Sequence, residues 1–555
     1  MDVRAVSEPA PGAHDETAGH EQIVRAAGVV SAAVLLSRLS GLLRETVMAH
    51  LFGAGRLYDA FSLGFRIPNL TRDLFAEGAL SSAFVPTFTE YLSTKSKREA
   101  AELSNLVGTA VILIVGALCV LGAVFSPFLV SLLAPGWETA DPEKFELAIA
   151  LTRIMFPFLL VVALAAQAMG VLNACGQFAV PALASTFFNI GSVAFGVGLG
   201  FWLGPHLGID AITGMAFGVV LGGVLQLLWQ LPALFRLGFR FRPRLNWSHP
   251  GLVRIIRMMG PAIIGSAAVQ VNVVVNTNFA STIVDPLRGL DGPVSWLQYA
   301  FRFMQLPLGL FGVAIAAATL PSISRSAANG NIDEFRRTLS RSLGTVLLLT
   351  VPSSIGLVIL GNAMIGLIYQ GRKFEAYDTH QTAVALSYYA IGLAGYAAVK
   401  VLAPAFYALG SARIPALVSI ASILINFVVA WTFTHKTQLG HAGLALATSG
   451  VSLFASVALF LLIRKRIGGV HGRALLASTL KIGVAALVMG AIVVLCRDGL
   501  QGWLGVTRFA RLVELAVCIP LGVAVFGGLC RAFRVAELEM ASRAVIAPLA
   551  RWRAG

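Results

Sequence analysis

The sequence predicts an all-α polytopic membrane protein of about 14 transmembrane helices, built as two parallel-repeated six-helix lobes plus a C-terminal helix pair. Three observations lead there. Mean hydropathy is +0.79, with 57% of residues hydrophobic and only 12% charged, about half the charged share of a soluble domain. Apolar runs long enough to cross a bilayer recur from about residue 24 to residue 534, separated by short polar breaks. Segments of the first half also reappear in the second at a constant offset. The 56 glycines and 23 prolines fit this class, because small residues let membrane helices pack closely and neighbours re-satisfy backbone broken by proline.

Residues 1–22 (MDVRAVSEPAPGAHDETAGHEQ) are polar and have no apolar core, so they read as a disordered cytoplasmic tail and not as a signal peptide. Spans follow at 24–52, 58–90, 104–134, 146–174, 179–203 and 209–235, which make an N-lobe of residues 23–248. A C-lobe of residues 249–473 holds spans at 252–284, 294–325, 338–369, 381–409, 414–434 and 442–463. Two more, at 475–496 and 509–534, form a unit of residues 474–535, and residues 536–555 are a second cytoplasmic tail. Several spans exceed the ~20 residues a bilayer needs, so tilt, kinks or extension into water are expected.

The repeat sets the lobe boundary. FRIPNL leading to LFAEGALSSAFVP matches FRFMQLP leading to LFGVAIAAATLP, pairing Phe65-Arg66 with Phe301-Arg302 and Pro86 with Pro321. GQFAVPALAS matches GSARIPALVS, pairing Pro181 with Pro415. The offset is about 235 residues throughout, as a duplicated unit requires. Each unit holds an even number of spans, so the copies share one orientation, a transporter plan with its site at the repeat interface.

The net charge of +15 would point to nucleic acid in a soluble chain. Here it is a topology signal, and no nucleic-acid partner is expected. Lys95, Lys97 and Arg98; Arg236, Arg240, Arg242 and Arg244; Arg336 and Arg337; and Arg464, Lys465, Arg466 and Arg473 fall in alternate loops. The opposite loops are poorer, with Arg56, Lys144, Arg288, Arg372, Lys373, Lys436, Arg497 and Arg508. The positive-inside rule then puts both termini in the cytoplasm. Cys119, Cys175, Cys496, Cys518 and Cys530 show no metal-ligand spacing and read as buried, inert thiols. His50, His380, His435 and His441 form no metal pattern. No P-loop is present, which leaves no ATP motor in the chain and points to transport driven by the membrane potential or an ion gradient. No cofactor, metal or catalytic residue is expected.

Charge inside the first two spans is the chemical signal, since an ionisable residue in a bilayer is expensive and reads as functional. The first carries Arg38, Arg44 and Glu45, with Arg38 and Glu45 seven residues apart on one face. The second carries Asp59, Arg66, Asn69, Asp73 and Glu77 on one stripe, with Arg72 beyond a proline, Pro68, that kinks it. Asp59 and Asp73 read equally as structural ion-pair partners. The repeat copy supplies Arg302, and Lys400 is a further buried cation; Arg153 reads as an interfacial anchor. Acids of the second unit (Asp285, Asp291, Asp333, Glu334, Glu375 and Asp378) all fall in loops or at ends. Several arginines with few free carboxylates suit a phosphate or diphosphate, for which guanidinium offers permanent charge and a two-pronged fork.

SRLSGLLRE, FGAGRLYDAF and FRIPNLTRDLFAEGALSSAFVP, supported by RIMFPF, GVLNA, YAFRFMQLPLGLFGVAIAAATLPS and KVLAPAFYALG, resemble the MurJ (MviN) lipid II flippases of the multidrug/oligosaccharidyl-lipid/polysaccharide exporter superfamily. The resemblance covers nearly the whole chain after the N-terminal tail. It implies flipping of undecaprenyl-diphosphate disaccharide-pentapeptide, the peptidoglycan precursor, across a bacterial plasma (inner) membrane. Lipid II, membrane lipids and the cell-wall synthesis machinery are the implied partners. A central cavity is implied with Arg38, Arg44, Arg72 and Arg302 as substrate-binding arginines and Glu45, Asp59, Glu77 and Lys400 in support. The final helix pair is implied to form a groove for the polyprenyl tail. Two positions depart from the family pattern: Arg44-Glu45 stands for Arg-Asp, and Arg72-Asp73 for Arg-Arg. Asn272, Asn276 and Asn426 without a buried acid leave a sodium site without its carboxylate. Two other readings share the fold, a cation-coupled drug exporter and a flippase for another polyprenyl-linked glycan. The exporter predicts cavity carboxylates in place of an arginine cluster. A non-transporting cell-wall scaffold predicts dispensable arginines.

Overall fold

In hydrocarbon, backbone N–H and C=O groups have no water to bond, so a spanning segment must satisfy them internally. The chain does so with helix almost throughout. The computed structural model describes residues 13–73, 80–470 and 472–538, and among these only isolated bridges, Asp285–Gly289 and Gly371–Phe374, interrupt the helical pattern with β pairing. Among the described residues ten helical stretches are long and apolar enough to cross a membrane, and an eleventh is the Ala376–Ile391 and Leu393–Ala408 pair, bent by 43°. The remaining sequence-predicted spans fall on Ala13–Phe52, Pro250–Ser281, and the pair Arg56–Arg72 and Ser81–Thr94. The count of about fourteen therefore stays an expectation.

The described chain divides into two compact units that do not follow the repeat boundary alone. One comprises residues up to Val47, Gly64–Ser126 and Ala150–Ser266; the other comprises Met48–Leu63, Pro127–Ile149 and everything from Ala267 onward.

Within the first unit, Ala179–Val197 and Ala211–Arg236 lie backbone to backbone. Gly214, Gly218 and Gly222 recur every four residues and so face one way. A Cβ on Gly218 would stand 2.5 Å from both the Gly196 Cα and the Ser192 carbonyl oxygen, and one on Gly214 would stand 2.4 Å from the Gly200 Cα. Close approach of this kind supplies the dispersion energy that joins helices where lipid removes the hydrophobic drive. A second core, around Phe84, Phe88, Tyr91, Leu103, Leu159 and Phe239, joins the helices Ser81–Thr94, Lys97–Val124 and Pro157–Ala174.

In the second unit the 37-residue helix Ile332–Ile368 is the post on which the terminal pair, Gly472–Leu504 and Arg508–Ala532, is packed. Leu348, Leu360, Ile482, Met489, Val493, Cys518 and Phe526 form that core. All five cysteines are free thiols. Outward faces such as Leu35, Leu39 and Leu43, or Leu417, Leu424 and Val428, expose large aliphatic side chains, the surface lipid requires and water would penalise.

Gly218→Val should cut the yield of monodisperse, detergent-extracted protein several-fold, because the backbone it meets cannot yield. Gly116→Ala, with nothing within 4 Å of its Cβ, should leave the yield unchanged. Fluorescence-detected size exclusion distinguishes the two.

Candidate functional site

Arg44 lies on Ala13–Phe52 with its side chain 16% exposed. Its guanidinium stands over two aromatic faces, Phe65 at 5.5 Å and Phe188 at 5.3 Å, while the Glu45 carboxylate is 3.9 Å away and buried. Ring faces carry negative potential and so attract a cation. The helix is held there by Asn189, whose Nδ2 donates to the Ser37 carbonyl (3.2 Å) and to Ser40 Oγ (3.1 Å). Arg38 shares the Glu45 face yet is exposed, so that face passes from open to covered along its length. Arg72 is half-buried, and its Nε and Nη2 donate to Asp73 at 3.2 and 2.9 Å. The residue that departs from the family pattern is thus a counter-ion to its neighbour. Arg153 is exposed and donates to the Ala123 carbonyl and Ser126 Oγ, completing the end of Lys97–Val124.

In the second unit Arg302 is half-buried near the end of Pro293–Pro307, just before the π-helical turn Leu308–Val313. Lys400, expected to be buried, is exposed on Leu393–Ala408. Glu77 lies outside the described residues.

Asp59 has the most completely satisfied environment of these residues. It is fully buried, as is Lys144, whose Nζ donates to Asp59 Oδ2 at 2.8 Å. The same oxygen accepts from the Gly292 N–H at 2.8 Å; the other accepts from the Ser295 N–H at 2.9 Å and from Ser295 Oγ. Asp59 thereby caps Pro293–Pro307, a helix distant in sequence, with its carboxylate at the positive end of the dipole. Gly292 can present its N–H there because it takes φ +108°, a conformation that disfavours a side chain. Lys144 also donates to the Leu290 carbonyl and to Asp291 Oδ1, each at 2.9 Å, and stands 4.3 Å from the Trp137 ring centroid. Around this node Arg56 pairs with Asp141 and Glu143, Ser62 donates to Gln298, and Tyr58 stacks on Tyr299 with centroids 4.6 Å apart. Lys144, counted in sequence as one loop charge among several, is the residue that sequence reasoning missed. Nothing in PEKFEL marks it, and only the fold brings it to Asp59.

A neutral polar cluster lies elsewhere in this unit. Asn426 Nδ2 donates to Asn276 Oδ1, and Asn276 Nδ2 to Thr448 Oγ1, both at 3.0 Å. Among the described residues no group of three or more His, Cys, Asp or Glu side chains could hold a metal.

The profile of the family described as lipid II flippase MurJ matches residues 48–514. The chain belongs to this family. Lipid II flippase MurJ of Burkholderia cenocepacia is 33% identical over 515 residues, spanning 91% of this chain and 96% of the relative. The probable lipid II flippase MurJ of Vibrio cholerae is 33% identical over 516 residues, 91% and 95% of the two chains. A solved lipid II flippase MurJ in an inward closed conformation superposes with a TM-score of 0.72 at 26% identity, over 91% of this chain and 99% of that one. An inward-facing multidrug resistance MATE family transporter gives a TM-score of 0.64 over 79% and 98% at 17% identity, which is likeness of fold alone. As a member of this family the chain is a multi-pass membrane transporter.

Removing one partner of a buried ion pair strands the other, at a cost of about 3–5 kcal/mol. Asp59→Ala should therefore lower the thermal unfolding temperature of purified protein strongly, whereas Asp59→Ala combined with Lys144→Met should recover most of the loss. Equal destabilisation in the single and double variants would show that the pair is not the unit of stability.

Proposed function

We propose that this chain flips lipid II from the cytoplasmic to the outer leaflet by alternating access, supplying peptidoglycan synthesis. The observation that carries this reading is the family match, which runs through both sequence repeats and into the last helix. Arg44, Arg72 and Arg302 each contribute to recognition of the diphosphate, with Arg38 in support. Guanidinium keeps its charge at every accessible pH and matches phosphate oxygens two at a time. A bare diphosphate in hydrocarbon would cost many kcal/mol, so the head group crosses in an aqueous, cationic environment opened to one side at a time while the tail stays in lipid. Asp73, already bonded to Arg72, serves to orient that arginine.

The excess of arginine and lysine in alternate loops supports cytoplasmic termini. On that orientation the Asp59–Lys144–Asp291 node belongs to the outer end, and it acts as a latch. Opening outward draws Asp59 off the N-terminus of Pro293–Pro307. Drive by the membrane potential or an ion gradient follows from the absence of an ATP-binding motif, and the neutral Asn276–Asn426–Thr448 cluster favours a route without a carboxylate-held cation in this unit.

Arg44→Ala, Arg72→Ala and Arg302→Ala should each abolish complementation of a flippase-depleted strain at normal membrane levels, and should slow exposure of labelled lipid II on the far leaflet of proteoliposomes by at least about tenfold. Full complementation by all three would remove the arginine clamp from the mechanism.

A further inference from the structure

A second amphiphilic site, apart from the arginines above, lies wholly within the first unit. A cavity of about 280 Å³ opens between Lys97–Val124, Pro157–Ala174 and Ala211–Arg236, and its walls are almost entirely apolar (Ile112, Leu164, Val171, Leu231). Its roof is the segment that follows Arg236, in which Phe239, Arg240 and Phe241 line the opening. That segment is docked. The Arg242 N–H donates to Asn105 Oδ1 at 3.0 Å and the Arg244 N–H to Thr109 Oγ1 at 3.1 Å. The Phe241 ring lies against the notch left by Gly108, where a Cβ would come within 3.0 Å of it.

Charge and apolar surface alternate along this roof. Phe235, Phe241, Leu245 and Trp247 are about half exposed, and Arg236, Arg240 and Arg242 are exposed among them. Arg244 is paired with Glu102 at 3.0 Å, but among the described residues no carboxylate pairs with the other three. Topology alone asks only for positive charge in this loop. It does not ask that the loop be bonded down over an apolar cavity with a guanidinium at the rim.

We propose that this cavity and its roof hold one anionic phospholipid, with an acyl chain between the three helices and the phosphate against Arg240 and Arg242. The apolar walls exclude a free phosphate ion as occupant, and the arginines select against a zwitterionic head group. The site is distinct from the one assigned to lipid II and does not depend on that assignment.

The test uses the full-length protein in neutral detergent with phosphatidylglycerol carrying a photoreactive acyl chain. Labelling should fall on peptides spanning 101–112, 164–171 or 227–241. It should drop by roughly an order of magnitude or more in Arg240→Gln/Arg242→Gln, since each basic residue near an anionic head group contributes about a factor of five. Lys95→Gln/Arg98→Gln, with the same loss of charge at two exposed positions, should label as the native protein does. Equal labelling by the phosphatidylcholine analogue, an unchanged pattern in Arg240→Gln/Arg242→Gln, or displacement by equimolar undecaprenyl diphosphate would overturn the proposal.

Discussion

Burying a carboxylate and an ammonium group together costs several kcal/mol for each ion, and their attraction offsets this only when every remaining lone pair and proton is also bonded. Asp59 and Lys144 meet that condition. The carboxylate takes two backbone N–H groups and a hydroxyl besides the ammonium, and the ammonium takes a carbonyl and a second carboxylate besides Asp59. Complete coordination specifies position, because displacing any one of these segments leaves a buried charge short of partners. The start of Arg56–Arg72, the start of Pro142–Met155 and the N-terminus of Pro293–Pro307 are therefore fixed together. This explains why Met48–Leu63 and Pro127–Ile149, which belong to the first repeat in sequence, cluster with the second unit.

The arginines meet the cost of burial differently. Arg44 lies over the faces of Phe65 and Phe188 with Glu45 at 3.9 Å, and Arg72 is bonded to the residue next to it. The Arg44 contacts also join segments distant in sequence, but through the faces of aromatic rings. Ring faces and an adjacent carboxylate orient a guanidinium while leaving the backbone that carries it able to move with its helix. This is the difference that the proposed roles, a latch at Asp59 and reading groups at the arginines, would require in an alternating-access transporter.

Glycine and aliphatic surface complete the plan. Gly214, Gly218 and Gly222 bring two helices of the first unit to backbone contact, which makes that part of the unit stiff. Large side chains such as Leu39, Val120 and Leu424 face outward, where lipid neither rewards nor penalises their packing strongly. Rigid helix pairs within units and a lipid-facing exterior suit motion by whole bodies over local refolding.

The sequence by itself determined the class and the family. Hydropathy needs no partner to be read, and the stretches around Arg72 and Arg302 lie within the match to the lipid II flippase MurJ family. The environment of each charge was decided only by the tertiary structure. Lys144 looks like any loop lysine and is fully buried; Lys400 looks buried and is exposed; Asp73 looks like a lost arginine and is the counter-ion of Arg72. The physical reason is that the cost of a charge depends on the groups within a few ångströms of it, and in this chain Asp59 is 85 residues from Lys144 and 236 from Ser295.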